Sequence, residues 1–107
     1  MLSITVGSLT LTASSVLHNL GPGGTGSLFA NAAVSLMGTG SFSGNANLAG
    51  SGTVTVPGGA TFGITSGDPN LQTELVDAGT IQHGNAFLDL DGAAAKLRVV
   101  SGGIMRR

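Results

Sequence analysis

Two histidines, a pair of aspartates at a turn and one glycine-rich loop are the residues whose types and spacing bear on chemistry. His18 stands in VLHNLG and His83 in IQHGN, far apart and each beside turn residues. The chain has no cysteine, so disulfides and thiolate metal sites are excluded and these two rings are its only neutral nitrogen ligands. Asp89 and Asp91 flank Leu90 just ahead of Gly92. Two carboxylates in a turn can hold a hard cation, but a full calcium loop needs further ligands at fixed spacing. A solvated turn tip accounts for both, and Glu74 and Asp77 add no ligand at a required spacing. GPGGTG at 21–26 matches G-x-G-x-x-G. A dinucleotide site needs that motif between a strand and a helix, with an acid about 20 residues later. Here a β-like stretch follows, and the first acid is Asp68. Ser, His and Asp all occur, yet no Gly-x-Ser-x-Gly elbow presents a nucleophile. The reading is a protein that is not an enzyme, with no catalytic, cofactor-binding or metal-ligating residue and no small-molecule substrate.

The elements around these residues are unusual in charge. Charged side chains make up 8% of the chain, against about 25% in an ordinary soluble domain. Residues 1–67 carry none, and all of them lie between Asp68 and Arg107. The net charge of −1 leaves no basic footprint for nucleic acid. Arg106-Arg107 can touch an acidic partner or simply be solvated. Gly, Ser, Asn and Thr interrupt every window of the ~20 residues that a membrane helix needs. Four Phe and no Tyr or Trp leave an outer-membrane barrel without aromatic girdles. Met1-Leu2-Ser3 lacks the basic start of a signal peptide, so a soluble chain made in the cytoplasm is expected. The 107 residues suit a single domain, 1–107.

Alternation of apolar and polar residues predicts strands. In LSITVGSLTLTA (2–13) the phase flips across Gly7-Ser8, as a hairpin pairing Ile4 with Leu11 and Val6 with Leu9 would require. GTVTVPGGATFGI (52–64) reads as a second hairpin, setting Val56 against Ala60, Val54 against Phe62, and Thr55 against Thr61. AFLDLDGAAAKLRV (86–99) reads as a third, with a four-residue loop 91–94 that sets Asp89 against Lys96. A two-residue loop setting Leu90 against Ala93 is the alternative register. Both put Ala86, Leu88, Leu90, Ala95, Leu97 and Val99 on one face. Asp68, Pro69 and Gly79 bracket Leu71, Leu75 and Ala78 at helical spacing, which predicts a short helix over 69–78. The alternative there is a loop ending in an extended TELV. GTGSLFANAAV and GTGSFSGNANL match at a spacing of fourteen residues, either as strand-plus-turn units or as narrow rungs with stacked Asn. The expected fold is all-β, a Gly-rich antiparallel sandwich or small barrel built from hairpins, with a β-helix or solenoid as the alternative.

A sheet facing water usually guards its edges with charge. This chain omits that guard over its N-terminal part, and its Ser, Thr, Asn, Gly and Ala surfaces are cheap to desolvate. Large oligomer interfaces have charge-depleted cores, so the expected role is that of an assembly subunit.

In ITVGSLTLTASS, the Gly/Ser/Thr-rich middle and VTVPGGATF, the chain resembles capsid cement (decoration) proteins of tailed phages. That resemblance implies a β-rich, commonly trimeric subunit seated on the virion, assembled in the host cytoplasm, and clamping the major capsid protein. It implies no cofactor and no membrane. A phage tail fibre or spike segment is the rival within that class. GSGTVTVPGGATF and NANLAGSGTV are similar to rungs of autotransporter and filamentous-haemagglutinin adhesins, which implies a β-solenoid fragment instead.

Overall fold

The computed structural model describes residues 2–4 and 7–106. A first strand, β1 (Leu2–Ile4), precedes five coils of three strands each. Coil one is β2 (Ser8–Leu11), β3 (Ser15–His18) and β4 (Leu20–Pro22). Coil two is β5 (Ser27–Ala30), β6 (Val34–Met37) and β7 (Thr39–Gly44). Coil three is β8 (Asn47–Ala49), β9 (Thr53–Val56) and β10 (Thr61–Gly67). Coil four is β11 (Asn70–Leu71), β12 (Glu74–Asp77) and β13 (Thr80–Ala86). Coil five is β14 (Asp89–Leu90), β15 (Lys96–Val99) and β16 (Ile104–Arg106).

Every strand pairing among the described residues is parallel and joins one coil to the next. Three faces result. The first is β2-β5-β8-β11-β14 and the second is β3-β6-β9-β12-β15. The third is β7-β10-β13-β16, with β4 lying against β7 and paired to β1. This is the stacked-coil arrangement of a β-solenoid.

The core explains why the coils stack. On the first face Leu9, Leu28, Leu48, Leu71 and Leu90 fall in one column, each opposite the next. Parallel strands sit about 4.8 Å apart, so each leucine lies in van der Waals reach of the one above. Val34, Val54, Leu75 and Leu97 form the corresponding column on the second face. On the third face Phe42 and Phe62 stack with ring centroids 6.1 Å apart, and Ile64 and Ile81 continue the wall.

Corners make the coil close. Gly24, Gly44 and Gly67 stack at the corner between the third and first faces, all with positive φ. A β-carbon on Gly67 would sit 2.6 Å from the Gly44 carbonyl oxygen, so backbone packs on backbone there. Side chains knit other corners across coils. Asn19 Oδ1 accepts from the Thr39 amide at 2.9 Å, Asn31 Oδ1 accepts from the Ser51 amide at 3.1 Å, and Thr73 Oγ1 donates to the Gly52 carbonyl at 2.7 Å.

The antiparallel sandwich is therefore corrected, and so are its hairpins. Ile4 pairs with Pro22, and Leu11 with Ala30; Val6 lies outside the described residues. Val54 pairs with Val34 and Leu75, while Phe62 pairs with Gly40 and Ile81. Asp89 pairs with Asn70, and Lys96 with Glu74. The turns themselves are real: the Ala60 amide bonds the Pro57 carbonyl at 3.0 Å, and the Ala95 amide bonds the Gly92 carbonyl at 3.3 Å. They turn the chain from one face to the next instead of folding it back on itself. The helix over 69–78 is also corrected. Leu71 lies in β11 and Leu75 in β12, and a corner between them lets both point at the axis. Of the extended TELV of the alternative, Glu74, Leu75 and Val76 lie in β12 and Thr73 in the corner before it. The fourteen-residue match is not the coil repeat, because Ser27 stands on the first face and Ser41 on the third. Strand partners lie 18 to 24 residues apart.

Candidate interaction surface

The stacking separates the residues singled out for chemistry. His18 is exposed at the end of β3, opposite Met37. His83 is half-buried in β13, its Nε2 2.7 Å from the Ala86 carbonyl oxygen. Gly21 and Pro22 of GPGGTG end β4, and the strand β5 follows the motif, so no helix N-terminus meets the loop. Among the described residues no three of His, Asp and Glu gather where a metal could bind. Asp89 and Asp91 are both exposed on coil five.

The outer faces are carpeted with small polar groups. On the first face Ser8, Ser27, Asn47, Asn70 and Asp89 form a column, and Asn47 Nδ2 donates to Ser27 Oγ at 3.1 Å. On the third face Thr39, Thr61 and Thr80 align. Thr39 and Thr61 border an open cleft of about 540 Å³, where Ser41, Thr65, Gln82 and Asn85 offer hydroxyl and amide groups but no charge. That threonine column was hidden in the sequence, since its members are brought together only by the coil length. Thr10, Thr53 and Thr55 go elsewhere, opposite Phe29, Glu74 and Val76; Thr5 lies outside the described residues.

Coil five differs from the others. At its inward positions Leu90 (53% exposed), Val99 (46%) and Met105 (40%) are open to solvent. Phe87 at the preceding corner is 77% exposed. The strands β14, β15 and β16 each pair on one side only, leaving a row of open donors and acceptors. Charge clusters at this end as well. Glu74 Oε2 bonds Arg98 Nε at 3.1 Å and Glu74 Oε1 accepts from Thr53 Oγ1 at 3.3 Å, while Lys96 stands opposite Glu74 in register. Asp89 and Asp91 have no comparable cation on β14.

One carboxyl lies inside. Asp77 is fully buried, in an inward column between Val56 and Val99. Neither carboxyl oxygen makes a well-formed hydrogen bond, and the backbone amides of Gly79 and Ile81 are only weak partners to it. Desolvation raises its pKa, and the backbone amides of Gly79 and Ile81 pull it part of the way back.

The chain matches no protein-family model, and neither a curated protein nor a solved structure is significantly similar to it.

Proposed function

We propose that the chain is a structural solenoid unit of the fibre or adhesin kind, which holds surfaces in place and joins protein to protein. The observation that carries this reading is the charge-free lateral surface of coils one to three, where Ser, Thr and Asn line up in columns. Such faces can be covered without leaving a buried charge unpaired. The segment NANLAGSGTVTVPGGATF, similar to adhesin rungs, makes up most of coil three. The capsid-cement resemblance implies a β-rich subunit of no stated topology, and the stacked coils add support to a fibre, spike or adhesin rung stack. Each of these works by the same physics: a repeated cross-section gives a stiff rod, and its sides and ends supply contact area.

The test is the mass of the purified chain by light scattering after size exclusion. The proposal expects a defined species heavier than the 10.4 kDa of one chain. A single-chain mass that persists as the protein is concentrated contradicts it.

A further inference from the structure

We infer that the open cleft on the third face is a binding site for a neutral saccharide. The site is independent of the assembly reading above, and the first and second faces take no part in it.

Two glycines mark the place. Gly63 lies in β10 and Gly84 in β13, and both line the cleft. Glycine weakens a strand interior, where it often marks a bulge or a close approach by a ligand or another backbone. At Gly26, Gly52 and Gly79 the fold itself explains the residue, because a β-carbon would come within 2.0–2.3 Å of a carbonyl oxygen. Gly63 and Gly84 differ. A β-carbon on Gly63 would meet the Thr65 methyl at 3.2 Å and no backbone atom closer than 3.8 Å. One on Gly84 would stand 3.4 Å from the Thr65 carbonyl oxygen. Neither residue has a positive φ. Coil stacking therefore does not require these two glycines, and their missing side chains leave open space above the sheet.

Polar groups surround that space. Gly63 lies in register between Ser41 and Gln82. Against β7, Thr65 is an extra residue, since the register shifts between Ile64 and Ser66. Such a bulge re-aims a side chain, and bulges are over-represented next to active sites. Asn85 follows Gly84, and the 2.7 Å contact between His83 Nε2 and the Ala86 carbonyl oxygen spans and holds this short segment.

The chemistry of these groups selects the ligand. Ser41, Thr65, Gln82 and Asn85 each offer both donor and acceptor. Among the described residues no charged side chain lines the cleft, so a phosphate, carboxylate or amine finds no counter-charge. An apolar ligand would strip water from the amides and return no hydrogen bond, which is unfavourable. A peptide strand needs an open edge, whereas β10 and β13 are each paired on both sides. A saccharide supplies hydroxyls that donate and accept in every direction. Glycine lets its ring approach the backbone, and the Thr65 methyl gives its C–H face an apolar contact. The volume of about 540 Å³ falls within the roughly 300–1,000 Å³ of small-molecule sites. No aromatic ring among the described residues lines the cleft, so the expected affinity is weak, with a Kd of about 1 mM.

The test is a titration of the full chain, followed by amide NMR, with maltotriose, cellotriose and triacetylchitotriose. Each is taken to about 10 mM, roughly ten times the expected Kd. At least one should give saturable shifts confined to Gly63, Gly84 and the side-chain amides of Gln82 and Asn85. Gly63→Val fills the floor and should weaken that binding at least about tenfold. It should melt no lower than the wild type, because a β-branched residue suits a strand. Gln82→Ala should weaken binding about fivefold with the fold intact. No shift with any of the three sugars, or shifts spread over all faces, overturns the site. So does a folded Gly63→Val that binds as well as the wild type. If Gly63→Val does not fold, Gln82→Ala decides, and undiminished affinity there overturns the site. The mass of the chain in solution is read separately, so the assembly reading stands or falls by its own test.

Discussion

Asp77 is the one carboxyl in the core, and its column mates Val56 and Val99 show what the position otherwise holds. A buried polar group without a well-formed hydrogen bond is destabilising by about 1–3 kcal/mol. Asp77→Val should therefore raise stability at pH 7 by an amount in that range. The pH dependence has a definite sign. The folded chain holds this proton at a higher pH than the unfolded chain does, because burial raises the pKa. The carboxyl thus favours folding most below the unfolded value of about 3.9. That contribution is lost as pH rises through the folded value. Urea midpoints of the wild type measured from pH 7 downward should gain a component that Asp77→Val lacks. Identical pH slopes for the two proteins would contradict this account. Gly67 makes the opposite case, where a side chain is not tolerated. Its φ of +78° and the Gly44 carbonyl at 2.6 Å oppose any β-carbon. Gly67→Ala should cost about 2 kcal/mol, lowering the thermal midpoint by roughly 10 °C.

At the level of strands, the leucine column carries the stacking. Leu48 is fully buried in its middle, between Leu28 and Leu71. Leu48→Ala should lose about 3 kcal/mol by urea denaturation. Ser35→Ala, on the outer side of β6, should stay within about 0.5 kcal/mol. Equal effects from the two would remove the inward–outward assignment. That assignment was legible without coordinates. Alternation in TVTV, TFGI and KLRV states which side chains share a face, whether the neighbouring strand runs parallel or antiparallel. Val54, Val56, Phe62 and Ile64 are accordingly all buried. The direction of pairing was not legible, because Pro57-Gly58-Gly59 satisfies a hairpin loop and a solenoid corner by the same local bonds. The helix reading of 69–78 failed for a related reason. Two apolar residues four apart both point inward in a helix, and they do so equally in two short strands separated by a corner.

At the level of the whole molecule, the coil length decides what the surface is. Steps of 19 to 23 residues bring Thr39, Thr61 and Thr80 into line and set Asn47 beside Asn70. No local window reveals such a column, since coil lengths vary with each corner. The same stacking exposes the inward residues of coil five, which sequence alone assigns to the core. Absence of charge over residues 1–67 was legible in the sequence, but the meeting of exposed apolar residues and charge on coil five depends on how the coils stack. The lateral faces follow from parallel, in-register coils.

That register is tested most directly by two engineered cysteine pairs in a chain that has no cysteine of its own. Ser27 and Asn47 are neighbours across coils, already hydrogen-bonded at 3.1 Å, within the Cα separation of about 4.4–6.8 Å that a disulfide spans. Thr55 and Thr61 would face each other in a hairpin, but they stand on different faces of the solenoid. Under mild oxidation, with free thiols counted, Ser27→Cys/Asn47→Cys should close its disulfide and Thr55→Cys/Thr61→Cys should keep both thiols. Closure of the second pair with the first left open would contradict the stacked coils and return the chain to antiparallel hairpins.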